Sequence, residues 1–236
     1  MLMTLTGPTG SGKSTLAQAL CDAGVLLIPS WTTRALRPGE AERGDMVQVT
    51  AEQMAQSAML EIADYDGHRY GTPVTDTVTA ALAGECDALK IVEPEGLRSI
   101  RQTLTRRGSW HQLAHVYVDV DENTAVRRLL SRCHGHPASA DRRRIERAAR
   151  ECRDWPLACD WLHVVDNTRE NATLGHLADE VMASVRRFED RIKLLSPGSE
   201  THGELGLLLE GLTAHADNGL RDRVTQAREA LAGPAV

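Results

Sequence analysis

The sequence predicts an α/β fold in which a parallel sheet is flanked by helices, with a small, mostly β insertion and an extra helical C-terminal tail. Three observations predict it. A glycine-rich loop at residues 7–14 separates an apolar, strand-like run from a helical pattern. Short apolar strand patterns then alternate with helical patterns to about residue 195, as in chains that build a parallel sheet. A breaker at residues 196–199, Ser-Pro-Gly-Ser, precedes the tail.

The glycine-rich loop reads Gly-Pro-Thr-Gly-Ser-Gly-Lys-Ser and fits the phosphate-binding loop pattern. Glycines let backbone amides turn inward around phosphate oxygens, and the following helix presents its positive N-terminal end to them. We therefore expect a nucleoside triphosphate here, with Lys13 neutralising its β- and γ-phosphates and the Ser14 hydroxyl binding Mg²⁺. The predicted phosphate-binding residues are Gly7, Gly10, Ser11, Gly12, Lys13, Ser14 and Thr15.

After the first helix, the chain alternates between short strand patterns and polar turns. A polar, basic, turn-forming stretch at residues 30–40 has the composition of a loop that holds an anion. The predicted elements around it are strands at 25–29, 47–50 and 59–65, a helix at 51–57 and a turn at 66–69. This order indicates a mostly β insertion between two halves of an α/β core.

The second half of the chain returns to strands separated by helices. The predicted elements are helices at 75–83, 124–132, 141–154 and 172–195, and strands at 88–92, 116–120 and 162–165. Beyond the breaker, residues 202–216 and 220–232 show two amphipathic helical patterns with no catalytic constellation. Their apolar faces suggest docking on the core or on a second subunit, so a homodimer formed through these helices is one expectation.

Composition and charge argue against several classes of partner. A net charge of −6 gives no general attraction to nucleic acid, and 3% aromatic residues leave few base-stacking platforms. Three arginines at residues 142–144 indicate a small phosphate pocket rather than a duplex-binding surface. The longest apolar run, residues 25–29, is too short to cross a bilayer, and no leader pattern precedes the glycine-rich loop. We expect small-molecule substrates, no nucleic acid, no membrane and a cytoplasmic location.

The cysteines are five in number and irregularly spaced, which fits reduced thiols better than a disulfide framework. Three of them and two histidines are close in the sequence: Cys133, His134, His136, Cys152 and Cys159. None of the cysteine pairs has the short spacing of a zinc knuckle. Isolated thiols are therefore the preferred interpretation, and a metal site near these residues is the alternative.

Taken together, these residues resemble the guanylate kinase family from about residue 2 to residue 190. Residues 32–40, Thr-Thr-Arg-Ala-Leu-Arg-Pro-Gly-Glu, are similar to its Thr-Thr-Arg-x-x-Arg-x-Gly-Glu signature, and residues 70–72, Tyr-Gly-Thr, to its Tyr-Gly-Ser/Thr signature. Glu61 falls between them at the position of the family's acidic base reader. Residues 128–132 and 144–151 resemble the two arginine-bearing halves of its lid.

The resemblance implies a P-loop kinase that transfers a phosphoryl group from ATP, with Mg²⁺, to a nucleoside monophosphate. GMP or dGMP is the implied acceptor, and the diphosphate and ADP are the products. Residues 1–195 would form the guanylate kinase-like domain, with an acceptor-binding insertion at about 31–83 and a helical lid at about 128–150. Residues 196–236 would form a helical appendage.

The resemblance also implies residue roles. The implied catalytic residues are Lys13, Arg37, Arg132 and Arg144, with Arg128 near the triphosphate. The implied acceptor site comprises Ser30, Arg34, Arg37, Glu61, Tyr70 and Thr72. Guanidinium groups match phosphate oxygens bidentately, and one carboxylate accepts both adjacent donors of a guanine edge. Ser14 and Glu93 are the implied magnesium ligands.

Four features depart from the family pattern, and three of them lie on the acceptor side. Met46 stands where the family has a phosphate-gripping Tyr, Trp31 replaces a small residue, and Ile91 replaces an Asp that helps to read guanine. Residues 166–167, Asp-Asn, reverse the family order. Two alternatives therefore stay open: a kinase of another phosphorylated acceptor, such as a modified nucleotide or a ribose phosphate, and a catalytically silent binding module. The intact phosphate-binding loop argues against the second.

Overall fold

The computed structural model describes residues 1–36, 39–65, 67–133, 139–168 and 173–195. Residues Met1–Val185 form one compact unit, and Arg186–Val236 form a second, of which the structure describes the first ten residues. The elements in chain order are β1 (Leu2–Thr6), α1 (Lys13–Asp22), β2 (Leu26–Leu27), β3 (Ser30–Thr32), α2 (Glu40–Arg43), β4 (Met46–Gln48), α3 (Ala51–Gln56), β5 (Met59–Tyr65), β6 (His68–Pro73), α4 (Asp76–Leu82), β7 (Ala88–Ile91), α5 (Pro94–Arg106), β8 (Leu113–Asp119), α6 (Glu122–Arg132), α7 (Ser139–Asp154), β9 (His163–Asp166) and α8 (Leu174–Leu195).

The main sheet has five parallel strands in the order β2-β7-β1-β8-β9. The central strand β1 is buried along its whole length, as its apolar and threonine side chains require. In register, Leu2 lies beside Ala88 of β7 and Leu113 of β8. Because all five strands run the same way, their carboxyl ends meet at one edge, which is where ligands bind in open α/β sheets. The glycine-rich loop follows β1 at this edge.

A second, four-stranded sheet has the order β4-β3-β6-β5. In it, β3 runs parallel to β4 and antiparallel to β6, and β5 and β6 form an antiparallel pair. A buried apolar cluster joins this sheet to the main one, because Leu60 of β5 packs with Leu2 of β1 and with Leu97, Ile100 and Leu104 of α5. The second sheet is thereby fixed to the main sheet and to α5.

The predicted fold class is confirmed: a parallel sheet flanked by helices, with a small second sheet and a closing helix. Helix α5 was not predicted, although Pro94 is at its first position and Leu97, Ile100 and Leu104 have helical spacing. Strand β6 was predicted only as a turn and a motif. The tail helices predicted beyond residue 195 lie outside the described residues. Within the described ranges, no helix is long and apolar enough to cross a membrane.

Candidate active site

The glycine-rich loop is shaped by close packing. Gly10 and Gly12 have φ angles of 89° and 90°, in the left-handed region that favours glycine. A Cβ atom on Gly7 would lie 2.3 Å from the carbonyl oxygen of Val118, and one on Gly12 would lie 2.5 Å from Nδ2 of Asn167. The same Nδ2 donates a 2.6 Å hydrogen bond to the carbonyl oxygen of Ser11. Neighbouring strands and loops therefore hold the loop in one conformation and leave no space for larger residues.

Lys13 begins α1 and bends back over the loop. Its Nζ donates hydrogen bonds to the carbonyl oxygens of Gly7, at 2.5 Å, and Pro8, at 2.8 Å. Burial lowers the pKa of Lys13 to about 8, while the carboxylates of Glu151 and Glu93 act in the opposite direction. A partly desolvated cation thus lies in the concave side of a loop of amides, which is a strong anion-binding arrangement.

Helix α7 is tied to the loop through a buried carboxylate. Glu151 is 4% exposed, and its Oε2 accepts a 2.7 Å hydrogen bond from the backbone N–H of Thr9. The same carboxylate forms an ion pair with Arg147, one turn earlier on α7. Arg147 also donates to Oε1 of Glu93 at 2.5 Å. This chain of contacts connects α7, the loop and the residue that precedes α5.

Helix α6 contributes a second cation to the loop. Arg128 donates to the carbonyl oxygens of Asn167, at 2.9 Å, and Gly10, at 3.4 Å. Arg132 and Arg144 lie on α6 and α7 with exposed side chains, and together they line a cavity of about 160 Å³ between the two helices. The other lining residues are Leu129, Cys133 and Asp141.

On the second sheet, Arg34 is held by a buried carboxylate and a phenol. Its guanidinium donates to both oxygens of Glu40, at 3.0 and 2.9 Å, and its Nε donates to the hydroxyl oxygen of Tyr70 at 3.1 Å. Both of these hydrogen bonds to Glu40 come from Nη2, and Glu40 is 7% exposed, so the ion pair is largely shielded from water. Hydrogen bonds and charge from Glu40 and Tyr70 raise the pKa of Arg34 against the opposing effect of burial. The guanidinium is therefore fixed in position and permanently charged.

A second polar cluster lies between β5, β6 and β7. Thr72 donates a 2.7 Å hydrogen bond to Oε1 of Glu61, and Lys90 donates a 2.7 Å hydrogen bond to Oγ of Ser30. Burial raises the pKa of Glu61, whereas the hydrogen bond from Thr72 and the charge of Lys90 lower it. A Cβ on Gly96 would lie 3.9 Å from Oε2 of Glu61, so the glycine leaves the space beside this oxygen open.

Comparison with known proteins decides the family. The guanylate kinase family model matches residues 1–183. The guanylate kinase of Deinococcus radiodurans is 32% identical over 182 residues, covering 75% of this chain and 72% of that one. The chain belongs to the guanylate kinase family. The guanylate kinase of Lactobacillus delbrueckii subsp. bulgaricus is 29% identical over 202 residues, covering 80% of this chain and 93% of that one. The crystal structure of guanylate kinase from Anaplasma phagocytophilum has the same fold, with a TM-score of 0.56 and 20% identity over 80% of this chain and 86% of that one.

The structure brings together many of the residues predicted from the guanylate kinase resemblance. Lys13 and Arg128 contact the loop, Arg34 contacts Tyr70, and Glu61 contacts Thr72. Ser14 and Thr15 are exposed on the first turn of α1, and Ser11 is buried beneath the loop. Ser30 contacts Lys90 rather than Glu61. Arg37 lies outside the described residues.

Four further side chains of this guanylate kinase family member were missed by sequence reasoning. They are Arg147, Glu151, Asn167 and Lys90. The first two lie on a helix rich in arginine and glutamate, so no sequence pattern indicates which of its charges contact the loop. Lys90 had a visible signal, because a lysine in an otherwise apolar core strand needs a partner or a function.

The predicted magnesium site and the alternative metal site concern different residues. Glu93, predicted as a magnesium ligand beside Ser14, is close enough to influence Lys13 and is paired with Arg147. All five cysteines are free thiols. In the described ranges, no group of three or more histidine, cysteine, aspartate or glutamate side chains could hold a metal ion. His134 and His136 lie outside those ranges.

Proposed function

We propose that this protein catalyses ATP-dependent phosphorylation of GMP or dGMP to the diphosphate, with ADP as the second product. One observation carries the proposal. A phosphate-binding loop with its lysine in place is combined, in one chain, with a second sheet that holds a fixed guanidinium at Arg34 and a partly buried carboxylate at Glu61. The guanylate kinase family match over residues 1–183 supports the same reaction.

The donor side fits the triphosphate of ATP. The ammonium group of Lys13 donates hydrogen bonds to two carbonyl oxygens of the loop. Phosphate oxygens would replace these acceptors or add to them. Arg128 adds positive charge beside the carbonyl oxygen of Gly10 in the loop. The exposed Ser14 hydroxyl and the Glu93 carboxylate are hard oxygen ligands of the kind Mg²⁺ prefers, so they would hold the ion. Magnesium would supply charge neutralisation on the phosphates.

The acceptor side fits a nucleoside monophosphate. Arg34 and Tyr70, together with Arg37, would hold the acceptor's phosphate, because Glu40 and Tyr70 fix the position of the guanidinium. Glu61 would accept hydrogen bonds from the ring N–H and the exocyclic amine of guanine, and Ser30 and Thr72 would assist it. Burial raises the pKa of Glu61, whereas the Thr72 hydrogen bond and the Lys90 charge act in the opposite direction and favour the carboxylate form that would accept these bonds.

Phosphoryl transfer in this site requires no general base. The attacking group is an anionic phosphate oxygen, so the protein's contribution is alignment, charge neutralisation and exclusion of water. Arg132 and Arg144, which line the cavity between α6 and α7, would offset the charge that develops on the transferred group. Excluding water matters because an open site would hydrolyse ATP.

The domain organisation and cellular setting complete the proposal. Residues 1–195 would form the kinase domain, with the acceptor-binding insertion at about 31–83 and the lid at about 128–150. The small sheet supports the bounds of the insertion, and helices α6 and α7 support those of the lid. Residues 196–236 would form an appendage that packs on the core or forms a homodimer. Five free thiols and an ATP-dependent reaction support a cytoplasmic location.

The deciding experiment is a panel of ribo- and deoxyribonucleoside monophosphates with Mg-ATP, with ADP release as the readout and Lys13→Ala as the blank. We expect rapid turnover with GMP and dGMP and far slower turnover with AMP, CMP or UMP. Turnover with a different phosphorylated acceptor would replace GMP in the proposal, and would indicate that Trp31, Met46 and Ile91 reshape the pocket. ATP binding without turnover on any acceptor would contradict a kinase function.

A further inference from the structure

Lys90 is a charged side chain in the interior of the protein. It lies on the core strand β7 and is 2% exposed. Lysine is almost never buried to this degree without a partner or a function. Loss of hydration lowers the pKa of its ammonium group to about 7, and the charges of Glu61 and Asp45 act against this effect. The donor-side chemistry described above makes no use of this cation.

The hydrogen bonds of Lys90 are incomplete. An ammonium group carries three N–H donors. Among the described residues, Lys90 donates one hydrogen bond, of 2.7 Å, to Oγ of Ser30. Lys90 also interacts electrostatically with Glu61, although no ion pair between the two side chains is found among the described residues. Leaving buried donors unsatisfied costs free energy, so the remaining donors indicate a ligand atom that accepts from them.

The neighbours of Lys90 are the side chains that face the acceptor's base in the proposed function. Ser30 is its hydrogen-bond partner, and Glu61 is its electrostatic partner. Thr72 engages only Oε1 of Glu61, and Gly96 leaves space beside Oε2. The cluster therefore presents a group that only donates, the ammonium, next to a group that only accepts, the carboxylate.

We propose that Lys90 is a specificity-determining residue that donates a hydrogen bond to the 6-oxo group of the acceptor purine. Glu61 would accept from the adjacent N1–H and 2-amino groups. This inference rests on the proposed function. The 6-oxo group is an acceptor, whereas adenine presents a 6-amino donor at the same place, which would face the ammonium unfavourably and leave it unsatisfied. Lys90 would also compensate for Ile91, which cannot form the contact of the aspartate that it replaces.

The test is Lys90→Met, which keeps the length of the side chain and removes the donors and the charge. We would measure kcat/KM for GMP, IMP and AMP; IMP keeps the 6-oxo and N1–H groups and lacks the 2-amino group. The variant should lose about 10- to 100-fold on GMP and IMP alike, because both lose the same charged hydrogen bond. The ratio of kcat/KM for GMP to that for IMP should change by less than about threefold. The ratio of kcat/KM for GMP to that for AMP should fall.

Two matched variants sharpen this result. Glu61→Gln should lower the GMP to IMP ratio, because it weakens the contact that only GMP makes with its 2-amino group. Lys193→Met makes the same change in charge at a side chain that is 75% exposed, and it should leave kcat/KM for GMP, IMP and AMP unchanged. Thermal unfolding of each variant establishes that the differences are measured on folded protein.

Two results would overturn the assignment of Lys90. One is a folded Lys90→Met protein with GMP kcat/KM within about twofold of wild type. The other is an equal loss on GMP, IMP and AMP, which is the signature of a structural role. Calorimetric binding of GMP and AMP to the same proteins repeats the comparison without turnover. GMP binding that depends on Lys90 in a protein without transfer activity would contradict the proposed function alone, and absence of GMP binding would contradict both.

Discussion

Lys13 combines a position in the phosphate-binding loop with an unfavourable environment. Its ammonium group is charged below its pKa of about 8 and has lost part of its hydration, with two loop carbonyls in compensation. The unfolded chain keeps the ordinary pKa of 10.5, so the folded state binds the proton less tightly. Lys13 therefore lowers stability below pH 8, and this penalty disappears as the pH rises from about 8 towards 10.5.

Replacing Lys13 with Met should abolish phosphoryl transfer and stabilise the nucleotide-free protein. The expected gain is about 1–2 kcal/mol at pH 7, because the desolvation cost of the charge exceeds the two hydrogen bonds that are lost. ADP release and denaturant unfolding at pH 7 and pH 9.5 provide the measurements. The gain should be smaller at pH 9.5. A variant that unfolds more easily than wild type at pH 7 would show that Lys13 has a mainly structural role.

At the scale of single residues, the sequence predicted the types of side chain at the site better than their partners. The glycine-rich loop was predictable because its glycines, lysine and serine have the spacing of a phosphate-binding motif, which few other structures require. The ion pair between Arg34 and Glu40 was not predicted, since the two residues are six positions apart in a stretch whose sequence has no periodicity to indicate their approach. Lys90 was assigned no role because strand patterns report burial and not which polar groups meet across sheets.

At the scale of elements, α7 acts on the phosphate-binding loop through one buried carboxylate. Glu151 accepts the Thr9 amide and pairs with Arg147, and Arg147 reaches Glu93 at the start of α5. Three separate elements thus depend on a side chain that is 4% exposed. Breaking a buried pair by removing one partner is costly, because the remaining charge loses its compensation.

Glu151→Ala should therefore lower the free energy of unfolding by about 2–4 kcal/mol and weaken ATP binding, because the loop loses the acceptor of the Thr9 amide. Denaturant unfolding and equilibrium binding of Mg-ATP measure the two effects. Glu146→Ala, on an exposed position of the same helix, is the matched control and should change stability by less than about 0.5 kcal/mol. Equal effects of the two substitutions would mean that α7 does not support the loop.

The elements that sequence reasoning found and the elements that it missed differ in the local sequence signals that they carry. Strands such as β1 and β5 have strong apolar or alternating patterns, and their positions agreed with the prediction. Helix α5 was missed because Pro94 and Gly96 read as turn residues, although proline is favoured in the first turn of a helix. The pairing of β3 with β4 and β6 could not be predicted, because strand pairing depends on contacts far apart in the sequence.

At the scale of the whole molecule, the chemistry of the site lies within the region that matches the guanylate kinase family. The contacts of Lys13, Arg34, Glu61, Lys90 and Glu151 all fall within residues 1–183, which is the extent of that match. The two units of the chain also divide near this point, between Val185 and Arg186. Residues 196–236 therefore lie beyond the part of the chain that the family model matches.

A truncated protein that ends at residue 195 should accordingly keep kcat/KM for GMP within about threefold of the full chain, and should unfold as a single cooperative transition. Light scattering coupled to gel filtration should be performed on both proteins. If the tail forms a homodimer, the full chain will have twice the mass of a monomer and the truncated protein will be monomeric, with activity preserved in both. Loss of activity in a truncated protein that is still folded would contradict the proposed division at residue 195, because it would show that the appendage contributes to the site.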